Sequence, residues 1–263
     1  MIYRTFESAS AKQLVSYHLY RPKAYDESDT TRFPVVYWLH GSGGGLAGIP
    51  ALVRHFQSAI DDKKVAPFLV VFVNGMPNGM YVDWKDGSVP MERVIVDDLV
   101  THIDATYRTL ANREGRMLDG FSMGGYGAAR FGLKYPDKFR AVSILGAGPM
   151  QADLRDAPRA GRQRANAILE RVYGGDPAHF LAVSPRTLAT KRATEIRAKS
   201  LIRIVIGDRD ETLPANRDFH EHLETLKIPH EWIVLPRVRH ETMAVLSALG
   251  DRNWEFYRKS FGP

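Results

Sequence analysis

The chain has 263 residues, 44% hydrophobic and 25% charged, which is long enough for one sizeable α/β domain and too ordinary in composition for a disordered chain. Its formal charge of +6 arises from 36 Lys and Arg interleaved with 30 Asp and Glu, the pattern of a solvated surface rather than of a nucleic-acid groove. There is no cysteine, so disulfides, thiolate nucleophiles and Cys-ligated metals are excluded. No apolar run approaches the roughly 18 residues of a membrane span.

In chain order, the opening "MIYRTFESAS" lacks the charged, apolar and small-residue regions of a leader. The chain as given therefore reads as soluble, with cytoplasmic residence and export of a mature form both open. Apolar, β-rich runs follow: "QLVSYHLY" (13–20), "PVVYWL" (34–39) and "FLVVFV" (68–73). From Met91 to Leu110 the residues Ile95, Leu99, Ile103 and Tyr107 recur four apart, which predicts a packing helix. Next come the runs "RMLDGF" (116–121) and "AVSILG" (141–146). Residues 147–200 carry helical pieces and the breakers "YGGDP" and "VSP" but no strand pattern, and read as an insertion. The runs "LIRIVIG" (201–207) and "EWIVLP" (231–236) alternate with helices predicted over 215–227 and 242–258, the first ended by Pro229. Runs that are apolar throughout fit strands covered on both faces. The expected architecture is α/β, with a mainly parallel central sheet, helices on both faces and a helical insertion before the late strands. The expected organisation is a single domain, 1–263, with 147–200 a cap-like part of it.

Two glycine-rich turns carry the chemistry. In "WLHGSGGGLAG" (38–48), Gly43, Gly45 and Gly48 match G-x-G-x-x-G. A dinucleotide site, however, also needs an acid at the end of the next strand, and that strand ends in Asn74. No Lys-Ser/Thr follows, which excludes a P-loop. The turn is better suited to offer backbone N–H groups, from Ser42 or Gly43, to an oxyanion. In "EGRMLDGFSMGGYGAARFGL" (114–133), Gly120, Ser122 and Gly124 form G-x-S-x-G between a strand pattern and a helix pattern. That spacing suits a strand-to-helix turn too sharp for bulky flanks, with the serine lifted clear at its apex and the Met123 N–H beside it. A tight turn with a capping serine is the simpler alternative.

A serine hydroxyl near neutral pH needs an imidazole to take its proton and a carboxylate to orient that imidazole. Asp208 and Asp210 follow the run 201–207, and His240 lies in the loop before the last helix, in the chain order Ser, Asp, His. Asp210 reaches further past the strand end, whereas Asp208 is placed to cap the turn. The other histidines are less suitable. His18 sits in a strand, His55 and His102 in helices, His179 in the insertion, and His40 shapes the glycine loop. His220 and His222 diverge on one helix, so they make no metal pair. Arg155, Arg159, Arg162, Arg164 and Arg171, followed by Lys191, Arg192, Arg197, Lys199 and Arg203, form a basic stretch. It reads as a solvated face, or as a bias of the cleft toward acidic esters.

The segments "PVVYWLHGSGGG", "VVFVNGMPNGMYVDW", "VIVDDLVTHIDATYR", "LDGFSMGGYGAARFGLKYPDKF", "IGDRD" and "RH" together resemble the putative esterase (esterase D-like) family of α/β-hydrolases, which is related to feruloyl esterase domains and mycolyltransferases. The resemblance runs over nearly the whole chain. It implies a carboxylic-ester hydrolase with Ser122 as nucleophile, His240 as base, Asp210 as acid, and N–H groups of Met123 and the Ser42–Gly43 turn around the oxyanion. It implies no cofactor and no metal, a small-molecule or carbohydrate-linked ester as partner, and neither nucleic acid nor a membrane span. Within that frame Tyr81 and Trp84 of "NGMYVDW" are placed to line the substrate cleft, unless Trp84 packs beneath the loop. The absence of cysteine departs from the formylglutathione-cleaving members, and an acyltransferase would use the same three side chains.

Overall fold

The computed structural model describes residues 1–262. Its strands are β1 (Ile2–Ser8), β2 (Gln13–Tyr20), β3 (Val35–Leu39), β4 (Leu69–Val73), β5 (Arg116–Phe121), β6 (Ala141–Leu145), β7 (Leu201–Gly207) and β8 (Glu231–Leu235). They form one sheet in the order β1-β2-β4-β3-β5-β6-β7-β8. β1 and β2 pair antiparallel to each other, β2 pairs antiparallel to β4, and every later pairing is parallel. β3, β4 and β6 are buried at every position, which is why their sequences are apolar without alternation. β1 escapes the sequence pattern because it is an edge strand. Of "IYRTFES" only Phe6 and Ser8 are buried, so no apolar run announces it.

Between β3 and β4 lies α1 (Ile49–Asp61). Between β4 and β5 lie α2 (Met91–Arg93), a π-helical stretch (Val94–Leu99) and α3 (Val100–Thr106). Ile95, Leu99 and Ile103 are buried as the predicted stripe requires. The helix stops short of the expected Leu110 because Tyr107 turns extended, at φ −120° and ψ 158°. α4 (Met123–Lys134) follows β5. The segment after β6 contains α5 (Arg162–Tyr173), α6 (Pro177–Ala182) and α7 (Pro185–Lys199), and no strand among the described residues. Asp176 and Ser184 cap the last two of these, each followed by proline at the first helical position. α8 (Leu213–Thr225) separates β7 from β8. The expected final helix is two, α9 (Thr242–Leu249) and α10 (Asp251–Phe261), broken at Gly250, whose φ of 54° and ψ of −133° end the first.

Strand alternation sends one set of side chains to each face. Val35, Tyr37 and Leu39 enter a core with Leu118, Ile144 and Ile204, beneath α3 and α4. Val36 and Trp38 enter the opposite core with Met117, Phe56, Leu246 and Tyr257, beneath α1, α9 and α10. Arg203 does not belong with the surface arginines of the basic stretch. It is fully buried in β7, where its guanidinium meets Asp119, Ser143, Asn253 and the face of the Phe256 ring. The chain runs from β3 to β4 on one side and returns across β3 to β5 on the other. Such a switch opens a crevice beyond the carboxyl ends of the two strands, and both glycine-rich turns emerge there.

Candidate active site

Ser122 occupies the single residue between β5 and α4, at φ 60° and ψ −120°. A side-chain-bearing residue adopts this backbone only where its surroundings enforce it. Here they do. The Ser122 N–H donates to Leu145 O at 3.0 Å, and its carbonyl accepts from the N–H groups of Tyr126 and Gly148. The flanking glycines are required by contact. A Cβ on Gly120 would stand 2.3 Å from Gly124 O, and one on Gly124 would stand 1.9 Å from Leu39 O. The opening turn of α4 thus lies directly on the end of β3, and any side chain at these two positions would push the serine out of place.

The Ser122 hydroxyl lies 2.9 Å from Nε2 of His240, and Nδ1 of His240 lies 2.7 Å from Oδ2 of Asp210. The His240 and Asp210 side chains are 6% and 0% exposed. The other oxygen, Oδ1 of Asp210, accepts from the backbone N–H and the hydroxyl of Thr212, both at 2.8 Å. Burial by itself would raise the Asp210 pKa. The hydrogen bonds from His240 and Thr212 outweigh it and hold the carboxyl below its ordinary range. A carboxylate can only accept, so Nδ1 of His240 carries the proton and Nε2 accepts from the Ser122 hydroxyl. Phe121 packs on the imidazole, ring centroids 4.7 Å apart. Asp208 is elsewhere. Its Oδ1 accepts from the Arg237 N–H at 2.6 Å, tying the end of β7 to the turn after β8.

The glycine loop after β3 passes against the serine, since a Cβ on Gly41 would stand 3.2 Å from Ser122 Cβ. Its shape is fixed by His40. The Gly75 N–H donates to Nε2 of His40 at 3.0 Å, so Nδ1 carries the ring proton and donates to Gly41 O at 2.7 Å. Burial lowers the His40 pKa and favours this neutral ring. The expectation for Gly43 requires correction: its N–H is already engaged, donating to Pro77 O at 2.8 Å. The N–H groups of Ser42 and Met123 donate to no protein acceptor among the described residues.

Tyr81 and Trp84 also require correction as cleft-lining residues. Tyr81 is fully buried, its ring fills the space that a Cβ on Gly75 or Gly127 would take, and its hydroxyl donates to His40 O at 2.9 Å. Trp84 is 8% exposed and lies beneath the Arg171 guanidinium, 4.7 Å from its ring centroid. Positive φ at Met80 and Tyr81, 56° and 53°, bends this loop so that Met80 reaches the cleft while Tyr81 turns into the core. A regular alternation of side chains does not anticipate that bend.

The cleft encloses about 390 Å³, and Ser122 and His240 form part of its wall. The segment after β6 contributes Gln151, Leu154, Arg159, Arg164 and Ile168 to the opposite side. A buried ion pair that no motif indicates fastens this neighbourhood. Arg130 of α4 donates to Glu92 at 3.0 Å, to Val183 O at 2.7 Å and to Tyr81 O. Glu92 also accepts from Lys134 and Tyr135. Burial would raise its pKa, but Arg130, Lys134 and Tyr135 together keep it below the ordinary glutamate value. The only sequence signal for this pair was an arginine inside an otherwise apolar helix.

A family model described as Putative esterase matches residues 8–263. The chain is 30% identical over 169 residues to an endo-1,4-beta-xylanase/feruloyl esterase of Xylanibacter ruminicola, covering 59% of this chain and 23% of that protein. It is 29% identical over 238 residues to Esterase MT1326 of Mycobacterium tuberculosis, covering 80% of this chain and 49% of that protein. The chain thus spans half or less of the length of either relative. Among solved structures, a ferulic acid esterase superposes with a TM-score of 0.80 over 99% of this chain and 98% of the other, at 19% identity, and shares the α/β-hydrolase fold.

Proposed function

The chain belongs to the Putative esterase family, and from that premise we propose that it is a carboxylesterase in which Ser122, His240 and Asp210 form the catalytic triad. The observation that carries this reading is the unbroken donor–acceptor relay from Ser122 Oγ through His240 to Asp210, 2.9 Å and then 2.7 Å. As the hydroxyl oxygen attacks the ester carbonyl, its proton passes to Nε2 and the new positive charge on the imidazole faces the Asp210 carboxylate. The N–H groups of Ser42 and Met123, which have no protein acceptor among the described residues, serve the tetrahedral oxyanion. One such donor is worth about 3 kcal/mol of barrier.

Collapse of the intermediate transfers the proton from His240 to the departing alkoxide and leaves an acyl-Ser122. Water, deprotonated by His240, then attacks the acyl carbon, and the acid leaves as Ser122 recovers its proton. No step requires a metal or a cofactor. Tyr81 and His40 act at one remove by holding the glycine loop in place. We read residues 1–263 as one domain in which 147–200 caps the cleft, and feruloyl or acetyl esters of carbohydrates as substrates. The feruloyl esterase names of the Xylanibacter relative and of the structural neighbour support that substrate class.

The test is Ser122→Ala assayed on 4-nitrophenyl acetate. Turnover falls to background while the far-ultraviolet circular dichroism stays that of the unaltered protein. Retained turnover overturns the assignment.

A further inference from the structure

Resting on the esterase reading above, we propose that this site selects esters bearing an anionic group remote from the reacting carbonyl, and that Arg164, assisted by Arg159, binds that anion.

The charge around the cleft is one-sided. Arg159 and Arg164 line it, and no Asp or Glu does. Elsewhere in the segment after β6, Arg155 pairs with Asp153, Arg192 with Glu195 and Lys199 with Asp137, and the remaining basic side chains, which have no carboxylate partner among the described residues, lie outside the cleft lining. The two at the cleft differ from each other. Arg159 has Glu211 at 2.9 Å, both exposed, so part of its charge is cancelled. Arg164 has no carboxylate within ion-pair distance among the described residues. Its one partner is neutral: Nη2 donates to Asn78 Oδ1 at 2.6 Å.

That bond orients the guanidinium without cancelling its charge. Nε, Nη1 and the second hydrogen of Nη2 have no protein acceptor among the described residues, so one edge of the guanidinium, Nη2 with Nε or with Nη1, stays open to a carboxylate or phosphate in two parallel hydrogen bonds. Because Arg164 is exposed at the rim, binding does not require a fully buried charge to be desolvated. The side-chain amide oxygen of Gln151, in the same segment, is buried with no partner among the described residues and accepts only, so it takes no part in holding the anion. Leu52, Leu154, Ile168 and Met243 give the lining an apolar stretch. The substrate that fits has an apolar body and an acidic end, as in a half-ester of a dicarboxylic acid or an ester whose alcohol carries a carboxylate.

Two matched pairs separate these sources. The acyl-side pair is 4-nitrophenyl hydrogen succinate against 4-nitrophenyl pentanoate, and the alcohol-side pair is 4-acetoxybenzoate against 4-acetoxybenzamide. At about 0.02 M NaCl the anionic member of one pair is expected to exceed its neutral partner about tenfold in kcat/KM through KM, the scale of a charge-assisted hydrogen bond. Raising the salt to about 0.5 M shrinks that ratio. Arg164→Gln brings it close to one, and Arg164→Lys, with charge but no fork, restores part of it. A ratio near or below one in both pairs, or one that survives in the Arg159→Gln/Arg164→Gln double variant, overturns the proposal while leaving the esterase reading intact. Failure to turn over neutral and anionic esters alike overturns both.

Discussion

Two aspartates beside the same sheet expose no side-chain surface to water and are tuned in opposite directions. Asp210, beyond the carboxyl end of β7, receives hydrogen bonds on both oxygens, from His240 and from Thr212, and its pKa lies below the ordinary value. Asp119, inside β5, is fully buried and accepts on Oδ2 from Tyr257 at 2.6 Å. Arg203 stands off at 3.8 Å, and Oδ1 has no partner. Burial therefore dominates and raises its pKa, despite the opposing pull of Arg203 and Tyr257. What separates the two is depth together with the partners aimed at the oxygens: Asp119 lies inside the sheet, where burial outweighs its partners, and Asp210 at its carboxyl end, where His240 and Thr212 outweigh burial. A carboxylate kept charged can steady an imidazolium. Asp119 serves instead to join β5 to Arg203 of β7 and Tyr257 of α10.

The difference is broken most severely by removing the charge of the first. Asp210→Asn keeps the shape but turns a donor toward Nδ1 and imposes the wrong tautomer on His240. The loss in kcat is about 10⁴-fold, with little change in the thermal midpoint, read by steady-state kinetics and calorimetry. Arg203→Met should do the reverse. Leaving Asp119 buried without its counter-charge costs about 3–5 kcal/mol of unfolding free energy in urea titration, while turnover per folded molecule is kept.

The two carboxyls also oppose each other in pH dependence. The folded pKa of Asp210 is depressed, so its contribution to stability is present above the unfolded value and is lost as pH falls through the folded one. Asp119 is raised, so the folded state binds the extra proton and stability declines as pH rises from the unfolded value through the folded one. Asp119→Asn should remove that decline and flatten the profile on the high-pH side of the ordinary carboxylate range, as read from urea midpoints over a pH series. The smallest effect expected is that of Tyr81→Phe. Losing one hydrogen bond to His40 O loosens the glycine loop by about 1 kcal/mol and lowers kcat/KM about fivefold, with KM little altered.

The same contrast marks what the sequence could disclose. Strands buried on both faces were legible as apolar runs, and the serine turn and the late Asp and His were legible because chemistry and sharp geometry restrict residue choice there. β1 was not, since an edge strand with one buried face carries too few apolar residues. Gly43 was indistinguishable from Ser42 as a donor until the fold supplied Pro77 O as a competing acceptor. Tyr81 and Trp84 looked like cleft residues because aromatic side chains near a site suit walls and foundations equally. Only the two positive φ values before β5 decide between them. Arg130 with Glu92, and Arg203 with Asp119, bring together residues 38 and 84 positions apart, as numbered, and no local pattern marks such partners.

The central claim is that the oxygen at Ser122 is activated by the relay through His240 and Asp210. Peptide mass spectrometry after reaction with a fluorophosphonate tests it most directly. The account predicts one adduct, on Ser122, formed far more slowly in Asp210→Asn and absent in His240→Ala. An adduct on another residue, or labelling of Ser122 at an unchanged rate in both variants, would contradict it.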